Sequence, residues 1–120
     1  LNWMHDRAKV IKQSIKLSEI ERMADEQFAG ELVKAVVDIE KEIMAIGGAM
    51  HADEEAILLE QGSKQANLWG INIHPHDDDL IEFDSMINIR PSQGNRSRSV
   101  EDENIQHKIR AIMSKLVVNE

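Results

Sequence analysis

Several stretches of the chain alternate apolar and polar residues in the manner of strands. Leu32 to Ile39 (LVKAVVDI) is rich in β-branched residues, and Ile43 to Ile46 follows it after the polar connection Glu40-Lys41-Glu42. Leu68 to Ile73 reads as a third strand. Leu80 to Ile89 alternates as a fourth, with Ile81, Phe83, Ser85, Ile87 and Ile89 on one side and Pro91 as its stop. Lys9 to Ile15 predicts a further short strand. Two other stretches carry helical spacing. Ser18-Glu19-Ile20-Glu21 has the form of a capping box, and Ile20, Met23, Ala24, Gln27 and Phe28 then recur every three or four residues up to Gly30. Asp102 predicts the N-cap of a second helix with the apolar stripe Ile105, Ile109, Ile112, Met113 and Leu116, and Lys115 near its end complements the helix dipole.

His51 to Glu60 is readable in two ways. Asp53 would cap a short helix ending at Gly62, or Ala56 to Glu60 is a strand followed by the turn Gln61-Gly62-Ser63-Lys64. We favour the strand, because the strand-like Leu68 to Ile73 comes next. The expected fold is α+β: an antiparallel, meander-like sheet of four to six strands, with two main helices packed on one face because each has a single apolar stripe needing cover.

Length and composition narrow this picture. A chain of 120 residues fits a single domain, 1–120. Met4 reads as the natural start, and residues 1–8 are expected to be poorly ordered or in part foreign to the native chain or the product of an upstream start. The absence of cysteine excludes disulfides and thiolate metal sites and accords with a cytoplasmic location. Apolar runs such as Ile57-Leu58-Leu59 fall far short of the ~20 residues of a membrane span, and the first residues lack the apolar core of a signal peptide. A net charge of −8 argues against broad nucleic-acid or membrane-surface binding. Two Trp, two Phe and no Tyr argue against a base-stacking platform.

Taken together, several strings are distinctive: Val36-Val37-Asp38-Ile39-Glu40, Gly47-Gly48, His51-Ala52-Asp53, Leu59-Glu60, Gly62-Ser63, Gln65, Trp69-Gly70, and Ile87-Asn88-Ile89-Arg90-Pro91 through Gly94-Asn95-Arg96-Ser97. They resemble a family of small prokaryotic proteins classed as a domain of unknown function, over roughly residues 30–117. The resemblance implies one self-contained domain and brings no activity with it.

Candidate chemistry concentrates in four places. In the first, Arg90, Arg96 and Arg98 fall within nine residues of an otherwise acidic chain, together with Ser92, Gly94 and Asn95. Gly94 permits a turn with outward amides, and arginine grips phosphate and carboxylate with two parallel bonds, so this loop is the candidate contact for an anionic small molecule or a protein partner. Against this stands the reading that Glu101, Asp102 and Glu103 already pair with it. In the second, His51, Asp53 and Glu55 share one face of a strand, or His51 and Glu55 one face of a helix, and either set would hold a divalent metal if His74, His76 or Asp38 supplied a third ligand, which suggests a metal-dependent hydrolase. A solvated edge or a helix cap is the plainer account. The third, His74-Pro75-His76-Asp77-Asp78-Asp79, reads first as an acidic turn. The fourth, Trp69-Gly70, reads first as core beside a close backbone approach. No Walker loop, dinucleotide-binding glycine pattern or nucleophile elbow occurs. The sequence therefore points to a small binding or regulatory domain. A metal-dependent enzyme and a homo-oligomeric structural module remain as alternatives, and no cofactor is required.

Overall fold

The structure, a computed structural model, describes residues 8–119. The expectation for the first residues falls, apart from Ala8, outside that range. In chain order the elements are β1 (Lys9–Ile11), β2 (Ile15–Lys16), α1 (Leu17–Gln27), β3 (Val33–Asp38), β4 (Ile43–Ile46), α2 (His51–Glu60), β5 (Leu68–Ile73), β6 (Ile81–Glu82), α3 (Glu103–Leu116) and β7 (Val117–Val118). Single 3-10 turns occupy Gln65–Asn67, Met86–Asn88 and Pro91–Gln93. The fold is α+β, with three helices among the described residues and a five-stranded antiparallel sheet of order β1-β4-β3-β5-β6. A two-residue parallel pair joins β2 to β7. None of the described helices is long and apolar enough to cross a membrane.

Period-two alternation divides the sheet's side chains between two buried clusters. Val33, Ala35 and Val37 of β3, Met44 and Ile46 of β4, and Trp69, Ile71 and Ile73 of β5 share the larger cluster with Ile20 and Ala24 of α1 and with Ile109, Ile112, Met113 and Leu116 of α3. Val36, Ala45 and Leu68 form the smaller cluster with Leu58 of α2. Both faces are thus apolar near the middle, which explains why β3 and β5 read as nearly unbroken apolar runs.

The expected strand at Ala56 to Glu60 is instead part of helix α2. The topology gives the reason. β3 pairs antiparallel with both β4 and β5, so β4 and β5 run in the same direction with β3 between them. A chain leaving one strand and entering a parallel one must travel back the length of the sheet, and a helix is the usual means. Asp53 and Glu54 in its first turn suit the helix dipole.

Three further expectations change in detail. The Leu80 to Ile89 strand shrinks to Ile81–Glu82, after which the chain turns through Met86–Asn88. Lys9 to Ile15 divides into β1, paired with β4, and the start of β2. The capping box is displaced: α1 begins at Leu17 with Lys16 at its cap and no side-chain cap bond, because β2 already fixes the chain's direction there. Asp102 does cap α3, its carboxylate accepting the Asn104 N–H at 2.8 Å.

Candidate functional site

The arginine-rich segment begins as the closing edge of β5. The backbone of Leu68, Gly70 and Asn72 faces away from β3, and β6 reaches only as far as Asn72. Side chains complete the edge. The Asn88 carboxamide accepts the Gly70 N–H at 2.8 Å and donates to the Gly70 carbonyl at 2.9 Å, as a strand residue would. Its second amide hydrogen bond runs to the Arg98 carbonyl at 3.0 Å. Arg90 donates from Nη2 to the Leu68 carbonyl at 2.5 Å and from Nη1 to the Gln65 carbonyl. Its guanidinium stands 4.2 Å from the centre of the Trp69 ring, a cation–π contact. Burial lowers the Arg90 pKa from its ordinary value, and the Glu55 carboxylate opposes that shift. Trp69-Gly70 follows from this arrangement. Trp69 is core, and a Cβ on Gly70 would lie 2.5 Å from the Ser85 Cβ.

Beyond Arg90 the loop closes on itself. Arg90 and Asn95 exchange backbone hydrogen bonds, and Gly94 between them has φ +80°, which favours glycine. Buried Asn95 is the loop's hub. Its side-chain nitrogen donates to the carbonyls of Asn88, Ser97 and Ser99, and its oxygen accepts the Glu101 N–H at 2.9 Å. The outward amides of Arg96 and Ser97 both point at the Glu101 carboxylate, at 2.9 and 2.8 Å. Hydrogen bonding from Ser97, then from the Arg96 amide, lowers the Glu101 pKa. The Gly94 and Asn95 amides are thus bonded within the turn, and the outward amides that follow are taken by an acid of the same chain. Arg98 bonds Asp84 at 2.6 Å, which raises the arginine's pKa and lowers the aspartate's. Arg96, with an exposed side chain, forms no ion pair with the described residues, and Ser92 is exposed at the turn.

The second candidate stretch lies at the start of α2. His51 Nε2 is 2.7 Å from the Ile71 carbonyl. Burial lowers its pKa and the bond to Ile71 opposes this, while Lys34, Asp84 and Arg98 also act on the ring's charge. Three residues on, Glu54 is wholly buried and its Oε2 accepts the Gly48 N–H at 2.9 Å. Asp53 and Glu55 each bury one carboxylate oxygen that has no hydrogen-bond partner. His74 bonds Glu82 at 2.9 Å, His76 faces Glu21 at 3.6 Å, and Asp38 accepts the amides of Glu40 and Lys41 and the Ser63 hydroxyl. Each proposed third ligand is thus engaged in a different place. Among the described residues no three of His, Asp and Glu converge to hold a metal ion, so the pairing of His51 with Asp53 and Glu55 gains no support from the geometry.

The two stretches are neighbours. α2 packs against the Met86–Asn88 turn, Arg98 and Asp84 act on His51, and Arg90 feels Glu55. Four residues of this surface were not singled out in the sequence: Lys34, Asn72, Asp84 and Glu54. Lys34 and Asn72 are cross-strand partners at the end of the sheet where α2 begins. In the sequence they were two polar residues within apolar strands, and that was their only signal. No curated protein and no solved structure matches the chain. A family model described as "Protein of unknown function (DUF5674)" matches residues 9–116, and the chain belongs to that family.

Proposed function

We propose that this chain is a small binding domain that takes an anionic ligand on the surface where the start of α2 meets the segment from Asp84 to Arg98. Arg96, Arg98 and Lys34 would be the contacting cations. The observation that carries this reading is the junction of the two candidate stretches, with His51 under the influence of Lys34 and Arg98. The Arg96–Ser97 amides are occupied by Glu101, so recognition falls to side chains. Among the described residues Arg98 pairs with the exposed Asp84 carboxylate, and exposed pairs contribute little and exchange readily. A doubly charged anion competes well against such a partner. A cytoplasmic site of action accords with a chain that contains no cysteine.

The test is a thermal-shift panel of inorganic phosphate, pyrophosphate, citrate and nucleoside triphosphates at constant ionic strength. At least one should raise the Tm of the wild-type chain. The double variant Arg96→Ala, Arg98→Ala should keep its circular dichroism spectrum and bind that anion about tenfold or more weakly, one bidentate contact's worth. If no anion in the panel moves the Tm, or the variant binds as the wild type does, the reading is wrong.

One observation favours a second reading, a self-associating module. The exposed large apolar residues among those described are Met50, Leu59, Met86 and Ile89, and all lie beside or within α2 or at the turn it touches. Light scattering should then give a dimer or larger species that Leu59→Ser with Met86→Ser dissociates. A wild-type monomer at high concentration excludes it.

A further inference from the structure

Two buried acids lie on the same side of the sheet, and the protein treats them differently. Asp38 has donors for both oxygens: two backbone amides on one and the Ser63 hydroxyl on the other. Glu54, with no exposure at all, has one donor, the Gly48 N–H on Oε2, while Oε1 is buried without a partner. An ionised carboxylate needs its lone pairs satisfied, and a neutral carboxyl tolerates an unpartnered oxygen far better. The chain is moulded around this group. A Cβ on Gly48 would come within 2.9 Å of the Glu54 Cγ and 3.4 Å of the Ala8 methyl, so only glycine lets the loop lie this close.

The charges around it do not compensate for burial. From β3, Lys34 favours the ionised form, and its ammonium lies 5.9 Å from the Phe28 ring and forms no ion pair among the described residues. From the loop, the Gly48 and Gly47 amides favour ionisation too. From α2 itself, Asp53 disfavours it, and His51 is one turn away with its ring on Ile71. Lys9 of β1 is engaged by Glu19. Burial outweighs the rest and drives the Glu54 pKa well above the usual carboxylate range.

We propose that Glu54 is a proton-operated latch: protonated, it holds the Gly47–Gly48 loop against the first turn of α2, and on ionisation it lets this corner open. The first turn carries His51, whose ring is anchored on the Ile71 carbonyl and feels the charges of Asp84 and Arg98. Opening therefore withdraws His51 from the surface described above. The latch stands on the burial and bonding of Glu54 alone and does not depend on the identity, or existence, of an anionic ligand.

The test follows the Gly48 amide in the full chain by NMR hydrogen exchange from about pH 5 to about pH 9. After correction for intrinsic exchange, its opening constant should rise about tenfold per pH unit between the ordinary carboxylate pKa and that of Glu54. Glu54→Gln, whose side-chain oxygen still accepts the Gly48 N–H, should abolish the rise. The Glu54 carboxyl carbon shift in the wild type should titrate at the upper end of that interval, where the rise in opening levels off. A flat Gly48 profile, a rise that persists in Glu54→Gln, or a carboxyl already ionised at about pH 5 overturns the proposal. Should Glu54→Gln fail to fold, the wild-type comparison decides: a carboxyl titration whose midpoint does not fall where the rise in Gly48 opening levels off rejects the latch.

Discussion

Asn88 shows how much of the segment's chemistry is structural. One carboxamide takes both outward backbone groups of Gly70 and a carbonyl across the loop, replacing a strand that β6 is too short to provide. Asn88→Ala leaves the Gly70 N–H and C=O unpartnered in a buried place and should cost about 2–4 kcal/mol in urea denaturation. Asn88→Asp keeps an acceptor for the Gly70 N–H but sets a carboxylate against two carbonyl oxygens. It should be at least as destabilising at neutral pH and partly relieved in acid. At Gly70 the constraint is space, since its neighbours Ser85 and Ile87 leave no room for a methyl. Gly70→Ala should cost about 1–3 kcal/mol by overpacking, and Gly70→Ser no less. If Asn88→Ala and Gly70→Ala both unfold at the wild-type urea midpoint, the edge-closing role is wrong.

Among the elements, the turn between Asn95 and Glu101 depends on a charge that titrates. The folded pKa of Glu101 is depressed, so its contribution is fully present above the ordinary carboxylate value of about 4.5 and is lost as pH falls through the lowered one. Amide exchange at Arg96 and Ser97, corrected for intrinsic rate, should therefore accelerate in acid, and Glu101→Gln should show that acceleration already at neutral pH. Equal protection in wild type and variant would show that the carboxylate does not order the turn. The same region marks the limit of what the sequence reveals. β3, β4, β5 and the Asp102-capped α3 were legible because local pattern and burial agree there. α2 was not, since Glu54 and Leu58 face inward while Leu59 and Ala52 face out, which leaves no clean helical stripe. Its helicity comes from the need to cross β3, a property of the sheet order that no ten-residue window contains. The Leu80–Ile89 alternation misled for a related reason. Ile81 and Phe83 pack on the larger cluster, Ile87 on the smaller and Ile89 is exposed, while Asn88 meets β5 with its side chain where the pattern implies backbone. The arginines were visible as a cluster, whereas their partners Leu68, Gln65, Asp84 and Trp69 come from elsewhere in the chain and became visible only on folding.

For the whole molecule, the titrating groups divide by direction and set a stability profile with two different limbs. Lowered carboxylates at Asp79, Glu82, Asp84 and Glu101, each bound by a cation or by hydrogen-bond donors, contribute above their ordinary values and lose that contribution as pH falls. His51 adds to the acid limb. Its folded pKa is depressed by burial, so the unfolded chain takes up a proton first, and stability falls as pH drops from about 6.5 through the folded value. Glu54 acts in the opposite sense. Its folded pKa is raised, so relative to the unfolded chain it favours folding most strongly below about 4.5 and loses that advantage as pH rises towards its own value. Urea midpoints across pH should therefore rise from acid, pass a maximum and decline on the alkaline side well before lysines titrate. Glu54→Gln should remove the decline that sets in above about 4.5 and leave the profile below that pH unchanged, and His51→Gln should soften only the fall below about 6.5. The two residues sit three positions apart on one helix and face the same sheet, so a general loss of packing would alter both limbs together. A single variant that changes the slope outside its own interval would assign the profile to packing and remove the case for separate protonation at the start of α2.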